Sequence, residues 1–142
     1  MSNTNKPNAV FWVIGVIALI WNILGVGAYL AQAYMTEDAM ALLTQSEQDF
    51  YTNYPAWTTA AFAVGVFAGL LGCIALLMRK KIAVLLFTLS IIGVLAQQVY
   101  NFFIQDYVEM DGVRMIGPIA IVIVCFFLLW YSKAQRANGI IS

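Results

Sequence analysis

Histidine is absent from this chain, cysteine occurs twice, proline three times, and charged side chains make up 10% of the residues. Each shortage removes a class of protein. Without histidine there is no imidazole to act as a general base near neutral pH or to bind zinc. Two cysteines cannot build the disulfide framework of a small secreted domain. Cys73 and Cys125 both fall inside apolar runs and read as small core residues. A soluble domain carries about 25% charged residues, so this chain has too little polar surface to be globular in water. No HExxH, GxSxG or P-loop pattern occurs. No catalytic residue, cofactor or metal ligand is therefore assigned, and an enzyme is not expected. Seven basic and seven acidic residues cancel to zero net charge, which offers nothing to nucleic acid.

Apolar residues make up 63% of the 142. They concentrate in four runs, at about residues 10–31, 56–78, 82–104 and 116–132, none of which contains Asp, Glu, Lys or Arg. A bilayer's hydrocarbon core is about 30 Å thick and needs about 20 apolar helical residues to cross it. The runs are unbroken and lack the alternation of barrel strands, so helices are expected. The resulting fold is all-α, a membrane four-helix bundle forming a single domain over residues 1–142. Outer loops lie at 32–55 and 105–115.

Charge orients this bundle. Lys and Arg near spanning helices are retained in the cytoplasm, and Lys6, Arg79, Lys80, Lys81, Lys133 and Arg136 all fall on one side of a four-span arrangement. Arg114 dissents. The acids Glu37, Asp38, Glu47, Asp49, Asp106, Glu109 and Asp111 all occupy the other side. The amino- and carboxyl-terminal ends are both expected in the cytoplasm. Trp12, Trp130 and Tyr131 would mark the inner interface, and Tyr34, Tyr54, Trp57 and Tyr107 the outer one. Ala31-Gln32-Ala33 has the small-x-small form of a signal-peptidase site. The preceding apolar run exceeds the h-region of about 7–15 residues that such a signal uses, so a retained span is the reading taken.

The first outer loop carries helix signals. Thr36 can cap a turn beginning Glu37-Asp38, and Ser46-Glu47-Gln48-Asp49 offers a second start with a capping-box acid. A short interfacial helix is expected here; a substrate lid is the alternative. Pro55 and Pro118 are read as helix starts. Arg79-Lys80-Lys81 leaves room for a tight turn only, making the second and third spans antiparallel neighbours. A weak internal repeat is visible, with Gln32, Tyr34 and Asp38 recurring as Gln105, Tyr107 and Asp111.

Small and polar residues form stripes at helical spacing. Gly15, Ala18, Asn22, Gly25, Tyr29 and Gln32 share one face of the first span, and Ser90, Gly93, Gln97 and Tyr100 or Asn101 one face of the third. Ala61, Gly65, Gly69 and Gly72 mark a close-packing face on the second, since helices in lipid associate through small residues and interhelical hydrogen bonds. An unpaired amide in lipid is expensive, so Asn22, Gln97, Gln98 and Asn101 should face inward. They are read either as interhelical glue or, with Tyr29 and Tyr100, as an uncharged polar pocket open to the outside. No intramembrane carboxylate is available to couple transport to protons or cations.

The segments Ala18-Leu-Ile-Trp-Asn22, Tyr54-Pro-Ala-Trp57, Met78-Arg-Lys-Lys81, Gln98-Val-Tyr-Asn-Phe102 and Leu129-Trp-Tyr-Ser-Lys133 resemble a family of small bacterial four-span membrane proteins. Some members of that family carry the label "sugar transporter". The resemblance covers essentially the whole chain. It implies a bacterial inner-membrane protein and brings no catalytic or binding residues with it. The expectations are then two. One is a permease or channel for a small neutral solute, a sugar among the options, oligomeric because four helices enclose little space. The other is an accessory or scaffold subunit that joins a partner membrane protein through its Gly-rich face.

Overall fold

A computed structural model describes residues 6–142. It contains four helices long and apolar enough to cross a membrane: α1 (Ala9–Ala33), α4 (Ala56–Leu77), α5 (Ile82–Val99, prolonged by a π turn over Tyr100–Ile104) and α6 (Val113–Ala137). Two short helices, α2 (Glu37–Ala41) and α3 (Gln45–Thr52), occupy the loop between α1 and α4. There is no strand among the described residues.

The helices begin where side chains can hold their free amides. Asn8 Oδ1 accepts from Phe11 N at 2.9 Å, and Thr36 Oγ1 accepts from Ala39 N at 3.1 Å. The second loop helix starts at Thr44, not Ser46: Thr44 Oγ1 accepts from Glu47 N at 3.3 Å. Thr44-Gln45-Ser46-Glu47 has the same Ser/Thr-x-x-acid form as the expected start. Starting earlier also leaves Asp49 Oδ1 free to accept from Gln45 Nε2 at 3.0 Å. The fourth long helix is likewise longer than expected at both ends. Gly112, at φ +52°, turns the chain into it, so Pro118 lies inside the helix instead of starting it. At the far end Lys133 and Arg136 ride on the helix beyond its apolar run.

Packing follows the order α1, α4, α5, α6, with α4 and α5 closest. Their contact is backbone on backbone. A Cβ on Gly93 would lie 2.6 Å from Ala61 O and 2.8 Å from Gly65 N. Ser90 Oγ donates to Gly65 O at 2.6 Å across the same seam. Gly72 lies under the ring of Phe87, and Gly69 faces Asn22 Oδ1 of α1. The Gly-rich face of α4 is thus spent inside the chain, against α5 and α1.

One end of the bundle gathers the basic residues. There Phe11 stacks on Tyr131, with ring centroids 6.4 Å apart, and Tyr131 is buried instead of marking an interface. Residues 140–142 fold back onto the α4–α5 turn: Ser142 N donates to Arg79 O, Lys81 N donates to Ser142 O, and Arg79 Nε donates to Ile140 O, at 2.9–3.2 Å. Ile141 is buried under this clasp. Arg79 takes φ +60°, a left-handed conformation uncommon outside glycine, at the tight turn between the antiparallel helices. The opposite end holds the acids, together with Arg114. Its guanidinium pairs with Glu47 at 3.3 Å, which joins α6 to α3.

The lipid-like surface lies mainly on α1 and α6, whose most apolar stretches are 17% and 6% buried against 33% and 44% for α4 and α5. Those two helices meet through side chains at the basic end, where Phe11 and Tyr131 stack, and farther along residues of both border open space.

Candidate functional site

Two cavities border Gln97 toward the acidic end. The deeper one, the chamber, has a volume of about 340 Å³ and is walled by all four long helices. Its polar side chains are Asn22, Ser90, Gln97 and Cys125, and the rest of the wall is apolar or glycine. The shallower one, the vestibule, has a volume of about 260 Å³ beneath α3. Gln32, Tyr51, Tyr54, Gln97, Asn101 and Arg114 contribute to it. Gln97 lines both.

Gln97 lies on α5 one turn past Gly93, the point of close approach to α4, and lines both spaces. Its Nε2 donates to Tyr54 Oη at 3.2 Å. Gln32 of α1 lies beside the same phenol and helps lower its pKa, so Tyr54 stands between α1 and α5 under the loop. Burial raises the Tyr54 phenol above its ordinary pKa, and the two amides pull it partly back. Tyr51 is raised as well, first by burial and then by the carboxylate of Glu47. Both phenols are therefore neutral donors and acceptors throughout the physiological range.

The π turn decides what the end of α5 presents. Gln105 N donates to Tyr100 O at 3.0 Å, five residues back, which widens the turn by one residue. Tyr100 is buried edge-on against Tyr54 and Trp57, with ring centroids at 5.3 and 5.9 Å. Asn101 turns to the vestibule instead. Its Nδ2 donates to Gln98 Oε1 at 3.3 Å, but its Oδ1 is buried with no partner. Gln105 closes the turn by donating to Asn101 O and Val108 O and accepting from Tyr107 N and Val108 N. Asn101 thus lines the vestibule with its carbonyl buried behind that wall, and Gln105 holds the backbone that carries it.

The six residues expected to form one polar pocket are divided by the structure. Asn22 and Gln97 line the chamber, and Gln97 and Asn101 the vestibule. Tyr29 lines a separate recess of about 300 Å³ between α1, α4 and the loop helices, edge-on to Phe62 and Phe67. Gln98 is buried and holds Asn101, and Tyr100 is packed among rings. Asn22 differs from Gln97 in having its donor occupied: Nδ2 gives to Ala18 O at 2.8 Å and to Cys73 Sγ at 3.3 Å. Sequence reasoning singled out neither Gln32 nor Tyr54 as a partner of Gln97. Each lies at the end of its element, and their meeting depends on the loop path between them.

At the basic end Phe11, Leu76, Ala83, Phe87, Leu128 and Ile141 pack into one buried cluster. Compared with models of protein families, with curated proteins and with solved structures, the chain matches none.

Proposed function

We propose that this protein is a permease for a small neutral solute, captured in an outward-facing state. Lys6, the Arg79–Lys81 turn and residues 133–142 then lie on the cytoplasmic side, because that end carries six of the seven basic residues. The resemblance of its motifs to small bacterial four-span proteins assigns the membrane to the bacterial inner one. Helices α2 and α3 rest over the outer opening as a lid, latched by Arg114 and Glu47. The observation that carries the reading is the position of Gln97, shared by a vestibule under the lid and a chamber at membrane depth.

The chemistry of both walls favours an uncharged solute. The chamber holds no ionisable carboxylate or cation, and in the vestibule Arg114 is already paired with Glu47. A hydroxyl-rich sugar fits this chamber poorly, since Ser90 and Asn22 have given their donors to backbone and sulfur and unmatched hydroxyls would be left without water. The scaffold alternative loses its surface, because Gly65, Gly69 and Gly72 are covered by α5 and α1. Self-association, expected because four helices enclose little space, falls instead to the exposed sides of α1 and α6.

The test is uptake by liposomes containing the purified protein, using a panel of polyols, amides and uncharged amphiphiles. At least one should enter faster than into empty liposomes, and Gln97→Leu should abolish the difference. Uptake no faster than the empty control across the whole panel would remove the permease reading.

A further inference from the structure

The gap between α1 and α6 points to what the chamber accepts. Leu24 on α1 and Ile116 on α6 border the chamber, yet remain 67% and 64% exposed, so the chamber is open sideways at membrane depth. A second groove of about 210 Å³ lies toward the basic end between the same two helices. Ile14, Ile17 and Ala18 wall it on one side and Val124, Phe127 and Leu128 on the other. Trp21 lines both spaces. From Ile14 to Ala28 the helix rises about 21 Å at about 1.5 Å per residue, so groove and chamber, with Trp21 between them, together span the length of an extended aliphatic chain.

Polarity along this length is one-ended. At its acidic end Gln97 keeps a carbonyl and one N–H beyond the proton it gives to Tyr54. Of the other polar groups of the wall, Asn22 Nδ2 is held by Ala18 O and Cys73 Sγ, Asn22 Oδ1 lies against Gly69, and Ser90 Oγ is given to Gly65 O, which leaves only the weakly polar thiol of Cys125. No charged residue lines either space, so a phosphate or a quaternary amine would arrive without a counter-charge. A sterically open entry completes the picture, since nothing lies within 4 Å of where a Cβ on Gly117 would stand.

We propose that the chamber takes an uncharged, single-chain amphiphile from the bilayer, entering between α1 and α6 with its hydroxyl or ester head at Gln97 and its chain along the apolar groove. This rests on the permease reading only in taking the chamber as the ligand site. A hydroxyl-bearing monoacyl lipid has the matching distribution: one polar end, one chain and no charge.

The experiment uses the full chain in phosphatidylcholine liposomes with a monoacylglycerol probe bearing a diazirine in its acyl chain. Labelling should be saturable, should map to peptides containing Trp21 and Phe127, and should be competed by unlabelled monoacylglycerol but not by phosphatidylglycerol. Gly117→Phe, whose Cβ meets nothing within 4 Å and whose ring is placed to narrow the entry, should reduce saturable labelling about tenfold or more, and Gln97→Leu by about fivefold, the worth of one hydrogen bond. Non-saturable labelling, equal competition by phosphatidylglycerol, or wild-type labelling in both variants would each overturn the proposal. The two readings separate cleanly. Uptake of a water-soluble neutral solute without saturable labelling keeps the permease and removes the lateral site, whereas saturable labelling without any uptake does the reverse.

Discussion

Replacing Gly93 by alanine tests the packing on which the site depends. The added methyl would stand 2.6 Å from Ala61 O and 2.8 Å from Gly65 N, whereas ordinary contact begins at 3.4 Å. Both neighbours are backbone atoms of a helix and cannot rotate away, so α4 and α5 must separate. Separation also stretches the bond from Ser90 Oγ to Gly65 O, now 2.6 Å. Overpacking costs about 1–3 kcal/mol, and an interhelical hydrogen bond in a membrane protein contributes about 0.6 kcal/mol on average. Against this, alanine is favoured over glycine in a helix by about 1 kcal/mol. The net expectation for Gly93→Ala is a loss of about 0.6–2.6 kcal/mol. Gly27→Ala is the matched comparison, because a Cβ there meets nothing within 4 Å and only the helix preference remains. The two variants are compared by unfolding in mixed detergent micelles, followed by helical circular dichroism. If Gly93→Ala proves as stable as Gly27→Ala, the close α4–α5 approach is wrong, and with it the wall that carries Gln97.

Three further outcomes are expected. Reporter fusions at Lys6, at Lys80 and after Ser142 should all report cytoplasm; an external signal from any of them contradicts the four-span orientation. Tyr51 and Tyr54 should ionise above the ordinary phenol range in an ultraviolet titration. Because burial raises both pKa values in the folded state, stability from this source is complete below the unfolded value of about 10 and declines as pH rises through the folded values. Loosening of the lid in strong alkali should therefore accompany the phenolate signal, and ionisation of all seven tyrosines at the free value would refute their burial. Asn101→Leu should change stability by no more than about 1 kcal/mol, since it removes a buried acceptor that has no partner but also the donor to Gln98 Oε1. The same variant should reduce uptake, and a clear loss of stability instead would mean that Asn101 is structural.

The spans were legible because a bilayer constrains sequence severely: a helix must be long, apolar and uncharged to cross it, and each of the four runs meets those demands. Close packing was legible for a related reason. Gly65, Gly69 and Gly72 recur at helical spacing in a run where any larger residue would be as welcome to lipid. What escaped was local geometry that periodicity cannot express. A stripe drawn at steps of three and four through Gly93 and Gln97 reaches Tyr100 and Asn101 alike, and the π turn then sends them to different places. The start of α3 was ambiguous because Thr44 and Ser46 head overlapping capping patterns two residues apart. The charge of Arg114, which opposed the orientation rule, found its reason only in three dimensions, in Glu47 sixty-seven residues earlier.

Asn22 and Gln97 looked alike in sequence, two amides near the middle of the membrane, and their surroundings separate them. Asn22 lies against Gly69 with its donor held by Ala18 O and Cys73 Sγ, so its work is to join α1 to α4. Leucine has nearly the same shape, leaves only a weakly polar thiol unpaired, and replaces a bond of modest worth, about 0.6 kcal/mol on average. Asn22→Leu should therefore fold with little loss and keep uptake. Gln97 has one bond, to Tyr54, and free capacity facing both cavities. Gln97→Leu should also fold, since the Tyr54 ring stays packed against Phe50 and Tyr100, yet its leucine offers nothing to replace the water a solute gives up on entering. Opposite transport phenotypes in two folded variants would mark one amide as packing and the other as recognition. Equal retention of uptake would remove Gln97 from the path and leave both amides as packing.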